Sequence, residues 1–260
     1  MTFWDHLDVL RKDLVRVFAA ILICGTAAFF FKDEIFAIIL APKEGNFILY
    51  RIFGYLSGLF ASGSTGSETA NYSMQLINTS LASQFTIHIR ISLYVGVLVS
   101  SPYIIYRLFS FISPGLYENE RRYTVRVVIW GYFLFMTGVM MCYFLIFPLT
   151  IRFLGTYQVS SEVENMITLQ SYIGTLTSMS LMLGILFELP AVAWLLGKLG
   201  IITSAFMRRF RKQVIIAICV ISAIITPTGD AFTLLVVAIP IWALYEASIL
   251  IVQRTSREKA

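Results

Sequence analysis

Carboxylate side chains at two places in an otherwise apolar sequence could do chemistry. The stretch FISPGLYENERRY, residues 111–123, places Glu118 and Glu120 beside two arginines after a Pro-Gly break. A carboxylate there could bind a guanidinium group through planar, charge-assisted hydrogen bonds. Glu188, in FELP, instead stands inside an apolar block, two residues before Pro190. An ionised carboxylate at the centre of a bilayer costs about 2.5–3.5 kcal/mol, so a glutamate kept there indicates a functional role.

Each of these carboxylates also has a simpler interpretation. Glu118 or Glu120 could pair locally with Arg122 or Arg126 along a helix, although such exposed pairs contribute only about 0–1 kcal/mol. The sequence leaves open whether these carboxylates pair locally or bind a cation from another molecule. Glu188 could likewise be a protonated or internally hydrogen-bonded group that only holds helices together.

Catalytic and metal-binding patterns are absent from the sequence. None of the H-E-x-x-H, G-x-S-x-G and P-loop motifs occurs. The three cysteines, Cys24, Cys142 and Cys219, lie in separate apolar blocks with no C-x-x-C spacing and no neighbouring histidine. We therefore expect no enzyme activity, no bound metal and no cofactor.

The composition is typical of a membrane protein. Of the 260 residues, 58% are hydrophobic and 13% are charged, whereas soluble domains are roughly half apolar and a quarter charged. The apolar residues form blocks suited to helices that cross a ~30 Å hydrocarbon core, and they lack the two-residue alternation of a barrel wall. We predict an all-α polytopic protein with one integral membrane domain, residues 1–260. Its six transmembrane helices are predicted at 14–31, 85–109, 127–149, 171–196, 214–225 and 231–252.

The fifth predicted span is unusually short. Its 12 residues, 214–225, would extend about 18 Å as a helix, and the sixth span could be short as well. Either the bilayer thins around such a helix or the helix sits against a partner. We expect a concave groove that opens to the cytoplasm near this region, with Glu188 on its wall.

Basic residues predict the orientation of the chain. With the amino terminus inside, the inner segments hold 15 Lys and Arg residues and the outer segments hold 4, which places both termini in the cytoplasm. Glu120 then lies on the cytoplasmic side, where Pro114 and Gly115 end the second span. Residues 32–84 form the longest outer segment, in which we expect short amphipathic pieces around a Gly/Ser-rich stretch. Asp230 is expected to cap the start of the sixth span.

Motifs along the whole chain resemble those of the TatC family, the multispan subunit of the twin-arginine protein translocase. They are HLDVLRKDL at 6–14, LAP at 40–42, SPYIIYRLFSFISPGLYENERR at 101–122, FPL at 147–149, FELP at 187–190, TPTGD at 226–230 and AIPIWALYE at 238–246. The resemblance implies a receptor in the bacterial inner membrane that binds signal peptides bearing paired arginines and passes folded proteins across. It also implies single-span partners of the TatA and TatB type, and transport driven by the proton-motive force.

The resemblance assigns signal-peptide binding to two places in the sequence. One is Glu120, in a motif that also contains Leu116 and Arg121. The family's second arginine-binding carboxylate would fall on Val9, and the acidic residue here is its neighbour Asp8. Adjacent helical residues point about 100° apart. Either Asp8 substitutes from a neighbouring direction, or Glu120 contributes more of the binding.

The resemblance also assigns roles to residues inside the membrane and on its outer side. The resemblance assigns the intramembrane carboxylate to Glu188 beside Pro190, and a structural proline of the outer side to Pro42. Asp230 matches only loosely, because TPTGD has one residue more than the common T-P-P-D form. Thr226 is the nearest match to polar residues with which some members contact their partners.

A proton-coupled transporter of small solutes is the alternative function. In that case Glu188, Asp230 and Glu246 would relay protons through the membrane. The two halves of the chain show no convincing internal relation, which disfavours the inverted-repeat folds common among such transporters.

Overall fold

The computed structural model describes residues 3–52, 75–112, 124–157, 166–226 and 231–257 of the chain. Helices dominate the described part: α1 (Phe3–Phe29), α2 (Lys32–Leu40), α3 (Ser83–Ile112), α4 (Thr124–Met141), α5 (Phe147–Thr156), α6 (Leu169–Phe187), α7 (Leu189–Lys198), α8 (Ser204–Arg209), α9 (Arg211–Ile225) and α10 (Ala231–Arg257). Each predicted span overlaps one of these helices or two consecutive ones. The predicted boundaries and the single membrane domain stay predictions.

Several helical stretches have the length and composition of membrane spans. Within the described part, four of them qualify: Ser83–Phe111, Val127–Thr156, Leu169–Lys198 and Ala231–Thr255. A fifth candidate consists of Leu7–Phe29 together with Lys32–Lys43, which bends away from it by 92°. The all-α, polytopic class predicted from the apolar blocks is thereby confirmed.

The last two long helices differ in length. Helix α9 has 15 residues, or about 22 Å, which is less than the ~30 Å hydrocarbon core and agrees with a short fifth span. Helix α10 has 27 residues, so the expectation that the sixth span could also be short is wrong. Pro240 lies inside α10 without ending it, because other groups can satisfy the carbonyl that a proline leaves free in a membrane helix.

Proline also shapes the third predicted span. A π-helical turn, Cys142–Ile146, joins α4 to α5, and Pro148 is the second residue of α5. Proline has no N–H for the carbonyl four residues earlier, and its ring crowds that carbonyl. A locally wider turn accommodates both effects, so α4 and α5 continue as parts of one candidate span.

The core lies where the long helices meet. Its fully buried large side chains include Ile91, Phe147, Tyr172, Leu183 and Ile241. A parallel ladder pairs Leu76 with Ile167 and Ile77 with Thr168, which ties together the segments that precede α3 and α6. It is the one strand pairing in the described ranges, and two residues are too few to show a strand's alternation in the sequence.

Helices α1 and α3 approach each other closely through two glycines. A Cβ atom built on Gly96 would lie 2.7 Å from the carbonyl oxygen of Ile21 and 2.8 Å from the Cα of Gly25. Small residues at such positions allow the backbones of membrane helices to touch. The contact therefore depends on Gly96 having no side chain.

Replacing Gly96 with alanine should destabilise the protein. The added methyl group would meet backbone atoms of α1, and overpacking of this kind costs about 1–3 kcal/mol. Thermal unfolding of the purified protein in detergent measures the loss. Gly174→Ala is the matched control, because its methyl group would meet the flexible end of Arg90 at 3.1 Å. Equal melting temperatures for the two variants would contradict the close packing of α1 on α3.

Candidate functional site

The predicted site residues divide between the described and the undescribed parts of the chain. Asp8, Pro42, Glu188, Pro190 and Thr226 lie in described segments. Six others lie outside the described residues: Pro114, Gly115, Leu116, Glu120, Arg121 and Asp230. Their assigned roles stay predictions.

Asp8 lies in the first turns of α1 with an exposed side chain. It makes no ion pair or hydrogen bond with any residue that the structure describes. The neighbouring Val9 is also exposed, at 37%. The carboxylate of Asp8 is therefore accessible to a cation from another molecule.

A carboxylate that the sequence analysis missed, Asp13, joins α1 to α3. Its Oδ1 accepts hydrogen bonds from Nη1 of Arg16 at 3.0 Å and from Nη1 of Arg107 at 3.3 Å. Asp13 lies 12 residues before Gly25, and Arg107 lies 11 residues after Gly96. Antiparallel packing about the two glycines therefore brings Asp13 and Arg107 to the same level. The three-residue spacing to Arg16 is visible in the sequence, whereas no sequence pattern connects Asp13 with Arg107.

Arg107 is held by more than this carboxylate. Its Nε donates to the hydroxyl of Tyr103 at 2.9 Å, and its guanidinium carbon lies 5.0 Å from the ring centre of Tyr103 and 6.0 Å from that of Tyr106. The hydrogen bonds and the cation–π contacts both hold the guanidinium group in one position. The side chain of Arg107 is 26% exposed, against 52% for Arg16. Arg107 is thus partly buried, while Arg16 remains largely in solvent.

Asp8 and Asp13 point away from α1 in different directions. At 100° per residue, Asp13 lies about 140° around the helix from Asp8 and about 40° from Val9. The face of α1 that includes Val9 thus carries Asp13 one turn further along, where it is engaged with arginines of the same chain. A peptide cation that binds Asp8 must approach α1 from another side.

Glu188 lies at a break between α6 and α7. Its carbonyl accepts from the N–H of Val192 at 3.0 Å, and Pro190 is the buried second residue of α7. Pro190 has no N–H to donate to the carbonyl of Leu186, so the regular α-helical hydrogen bonding is interrupted at this point. The fourth predicted span continues across the break as one candidate span, Leu169–Lys198.

The carboxyl group of Glu188 is enclosed by neighbouring helices. Neither of its oxygens has a hydrogen-bond partner among the described residues, and both are buried. Gly131 of α4 provides the space: a Cβ atom there would lie 3.1 Å and 3.3 Å from the two oxygens and 3.2 Å from a side-chain carbon of Ile105. The group therefore faces α3 and α4. The predicted groove that it would line stays a prediction.

Thr226 ends α9 as a buried residue, only 3% exposed. Its hydroxyl donates a hydrogen bond to the carbonyl of Ser222 at 2.9 Å. The hydroxyl of Thr226 therefore has its hydrogen-bond partner within its own helix. One turn earlier, Oγ of Ser222 is buried without a hydrogen-bond partner in the described structure. The unsatisfied polar group at this end of α9 is therefore Ser222, which the sequence analysis did not single out.

Pro42 occupies a buried position in a short 3₁₀ turn, Ala41–Lys43. The hydroxyl of Tyr50 lies 3.4 Å from the carbonyl oxygen of Pro42 and 3.0 Å from that of Pro148. The turn that follows α2 is thereby connected to the start of α5.

Glu246 forms an ion pair between the last two helices. Its Oε2 lies 2.6 Å from Nη2 of Arg211, and both side chains are partly exposed. A carboxylate engaged in this way at the protein surface is poorly suited to relay protons through the membrane. Among the residues that the structure describes, no cluster of three or more His, Cys, Asp or Glu side chains could hold a metal ion.

Comparison with known proteins places this helical membrane protein among protein translocases. The family described as "Sec-independent protein translocase protein (TatC)" matches residues 5–240. TatC of Blattabacterium sp. subsp. Periplaneta americana is 33% identical over all 260 residues, which cover 97% of that relative. TatC of Aquifex aeolicus is 32% identical over 260 residues and is covered to 98%. A crystal structure of the twin-arginine translocase receptor TatC superposes with a TM-score of 0.75 at 32% identity, covering 96% of this chain and 99% of that one.

The chain belongs to the TatC family of Sec-independent protein translocases. The resemblance identified from its motifs is confirmed, as is a role in twin-arginine protein translocation. The comparisons give no support to the alternative of a small-solute transporter. The family is one of protein translocases, which is in keeping with the expectation that the chain is not an enzyme.

Replacing Glu188 with glutamine should leave the fold intact. An ionised carboxylate buried without a partner costs more than a neutral amide of the same shape, so removing the charge should leave the melting temperature unchanged or raise it. Thermal unfolding in detergent, together with recovery of the protein in membranes, measures the effect. Loss of the protein from membranes would instead mean that the carboxyl makes an essential structural hydrogen bond.

Proposed function

We propose that this chain is the signal-peptide receptor of a twin-arginine translocase in the bacterial inner membrane. It binds signal peptides with paired arginines at its cytoplasmic face. With single-span partners of the TatA and TatB type, it moves folded proteins across the membrane, driven by the proton-motive force. The observation that carries this proposal is the similarity, over 96% of the chain, to a solved structure described as a twin-arginine translocase receptor.

The orientation follows from the distribution of charge. The predicted inner segments hold 15 of the basic residues, which favours a cytoplasmic location for both termini. Asp8 and Glu120 then lie on the side from which cargo arrives. Leu116 and Arg121, in the same motif as Glu120, are assigned to the same site.

Binding of the peptide depends on carboxylates that are free to accept guanidinium groups. Each planar guanidinium can make two parallel hydrogen bonds to one carboxylate, and a hydrogen bond to a charged group contributes about 1.5–3 kcal/mol. The exposed, unpaired state of Asp8 in the described structure supports its assignment. Glu188 has a different role in this proposal, because it lies in the membrane, where it meets a partner helix or a passing chain.

Glu120→Gln should weaken binding of a twin-arginine signal peptide at least tenfold. The amide keeps the shape of the side chain but removes the charge that makes the hydrogen bonds strong, a loss of about 1.5–3 kcal/mol. Site-specific crosslinking and fluorescence anisotropy with a labelled peptide measure the change. Unchanged affinity in a protein that is still inserted and abundant would rule out direct binding by Glu120.

Asp8→Asn should also weaken peptide binding, and adding Val9→Glu should restore it. The second change places a carboxylate where the family normally has one, about 100° around α1 from residue 8. The same anisotropy titration compares the single and the double variant. If the single variant binds as tightly as the unmodified chain, Asp8 is only a surface charge.

A further inference from the structure

Basic residues are concentrated where α8 ends and α9 begins. They are Arg208, Arg209, Arg211 and Lys212, which we call the basic segment. All four residues are exposed. The sequence contains no acidic residue between Glu188 and Asp230, so no neighbouring carboxylate in the chain balances these charges.

The fold compensates only one of the four charges. Arg211 pairs with Glu246 at 2.6 Å. Arg208 donates to the side-chain amide oxygen of Gln253 at 2.5 Å, and this partner is neutral. The side chains of the other two members of the basic segment form no ion pair or hydrogen bond with any residue that the structure describes. The segment therefore has an excess of positive charge that the described part of the chain does not neutralise.

Helix α8 is fixed on the neighbouring helices, so these cations have defined positions. Met207 is buried in a cluster with Ala193, Ile249 and Val252. The hydroxyl of Tyr245, on α10, donates to the carbonyl of Met207 at 2.8 Å. The basic segment is thus attached to packed helices of the fold.

Apolar side chains accompany the cations at the surface. The rings of Phe206 and Phe210 lie 4.5 Å apart and are 53% and 36% exposed. Further along α9, Ile216, Val220 and Ile224 are exposed as well. Aromatic rings beside Lys and Arg are typical of segments at the boundary between hydrocarbon and headgroups. The cations therefore lie where an apolar, exposed helix surface begins.

The length of α9 brings lipid headgroups towards this segment. The helix has 15 residues, or about 22 Å, against a hydrocarbon core of ~30 Å. A bilayer that adapts to a short helix thins around it, so its phosphate groups approach the ends of α9. A guanidinium group binds phosphate through two parallel hydrogen bonds, and a lipid with a net negative charge also matches the uncompensated charge of the segment.

We propose that the basic segment binds the headgroups of anionic phospholipids, such as phosphatidylglycerol or cardiolipin, in the leaflet that meets the start of α9. Arg209 and Lys212 bind the phosphate groups directly. Arg208 and Arg211 are held by α10 and add to the positive potential. The binding does not depend on the proposed receptor function, and only the assignment of this leaflet as the inner one rests on the proposed orientation.

The test titrates the full chain in detergent micelles with pyrene-labelled phosphatidylglycerol and, separately, with phosphatidylcholine that carries the same label. Energy transfer from the tryptophans of the protein measures binding. The unmodified chain should bind the anionic lipid more tightly. Arg209→Gln with Lys212→Gln should weaken binding of phosphatidylglycerol at least about tenfold, because two cations are lost, and should change binding of phosphatidylcholine by less than about twofold.

Two further variants serve as controls. Arg11→Gln with Lys12→Gln removes the same charge from exposed residues of α1 on the same predicted side, and its affinity for phosphatidylglycerol should stay within about twofold. Arg209→Lys with Lys212→Arg keeps the charge and should bind like the unmodified chain. Thermal unfolding of every variant reports on the fold, which should be retained because neither Arg209 nor Lys212 holds another described side chain.

Three results would overturn the inference. Unchanged lipid binding by the folded glutamine double variant would show that these cations do not hold the headgroup. An equal loss in the α1 control would show that only net charge matters. Displacement of the labelled lipid by inorganic phosphate, under conditions where chloride of the same ionic strength does not displace it, would show a site for phosphate ions instead of lipid. Binding of a twin-arginine signal peptide is measured on the same samples, so the lipid site and the receptor function can fail separately.

Discussion

The free-energy cost of leaving a charge unpaired away from water constrains this molecule more than any other single factor. Where α1 meets α3, Asp13 balances Arg16 and Arg107. At the surface between α9 and α10, the partly exposed Glu246 pairs with Arg211. Glu188 departs from this pattern, since both its oxygens are buried without a hydrogen-bond partner in the described structure. Enclosing such a group is expensive, and Gly131 makes the space for it beside Ile105.

The same shortage of water explains which features of the fold the sequence could predict. A backbone in the bilayer must satisfy its own hydrogen bonds, so long apolar blocks predict helices, and the described structure confirms that class. The bend after Phe29, the π-helical turn Cys142–Ile146 and the uninterrupted path of α10 through Pro240 were not predicted from the sequence. A proline in a sequence shows where a backbone hydrogen bond is lost, but not whether the helix ends, widens or continues there.

The candidate site was predictable only where a polar residue stands out in an apolar stretch of sequence. Glu188 could be located because a carboxylate inside an apolar block is conspicuous. The glycine that makes room for it, Gly131, carries no such signal. The bond between Asp13 and Arg107 spans 94 positions and depends on a helix register that the close contact of Gly25 and Gly96 sets. Local spacing reveals the partner on the same helix, but it cannot reveal the partner on another.

On the proposed function, a receptor for arginine at the inner face of a membrane meets an inherent conflict. The rule that orients membrane proteins concentrates Lys and Arg on the cytoplasmic side, and here the predicted inner segments hold 15 of them. In the proposed receptor, those cations share the inner side with the carboxylates assigned to bind arginine. Internal pairing reduces the conflict, because an arginine already bound by a carboxylate and an aromatic ring has little to gain by moving. The contacts of Arg107 with Asp13 and Tyr103 are of this kind. Within α1 and α3, this pairing leaves the guanidinium of Arg107 satisfied inside the chain.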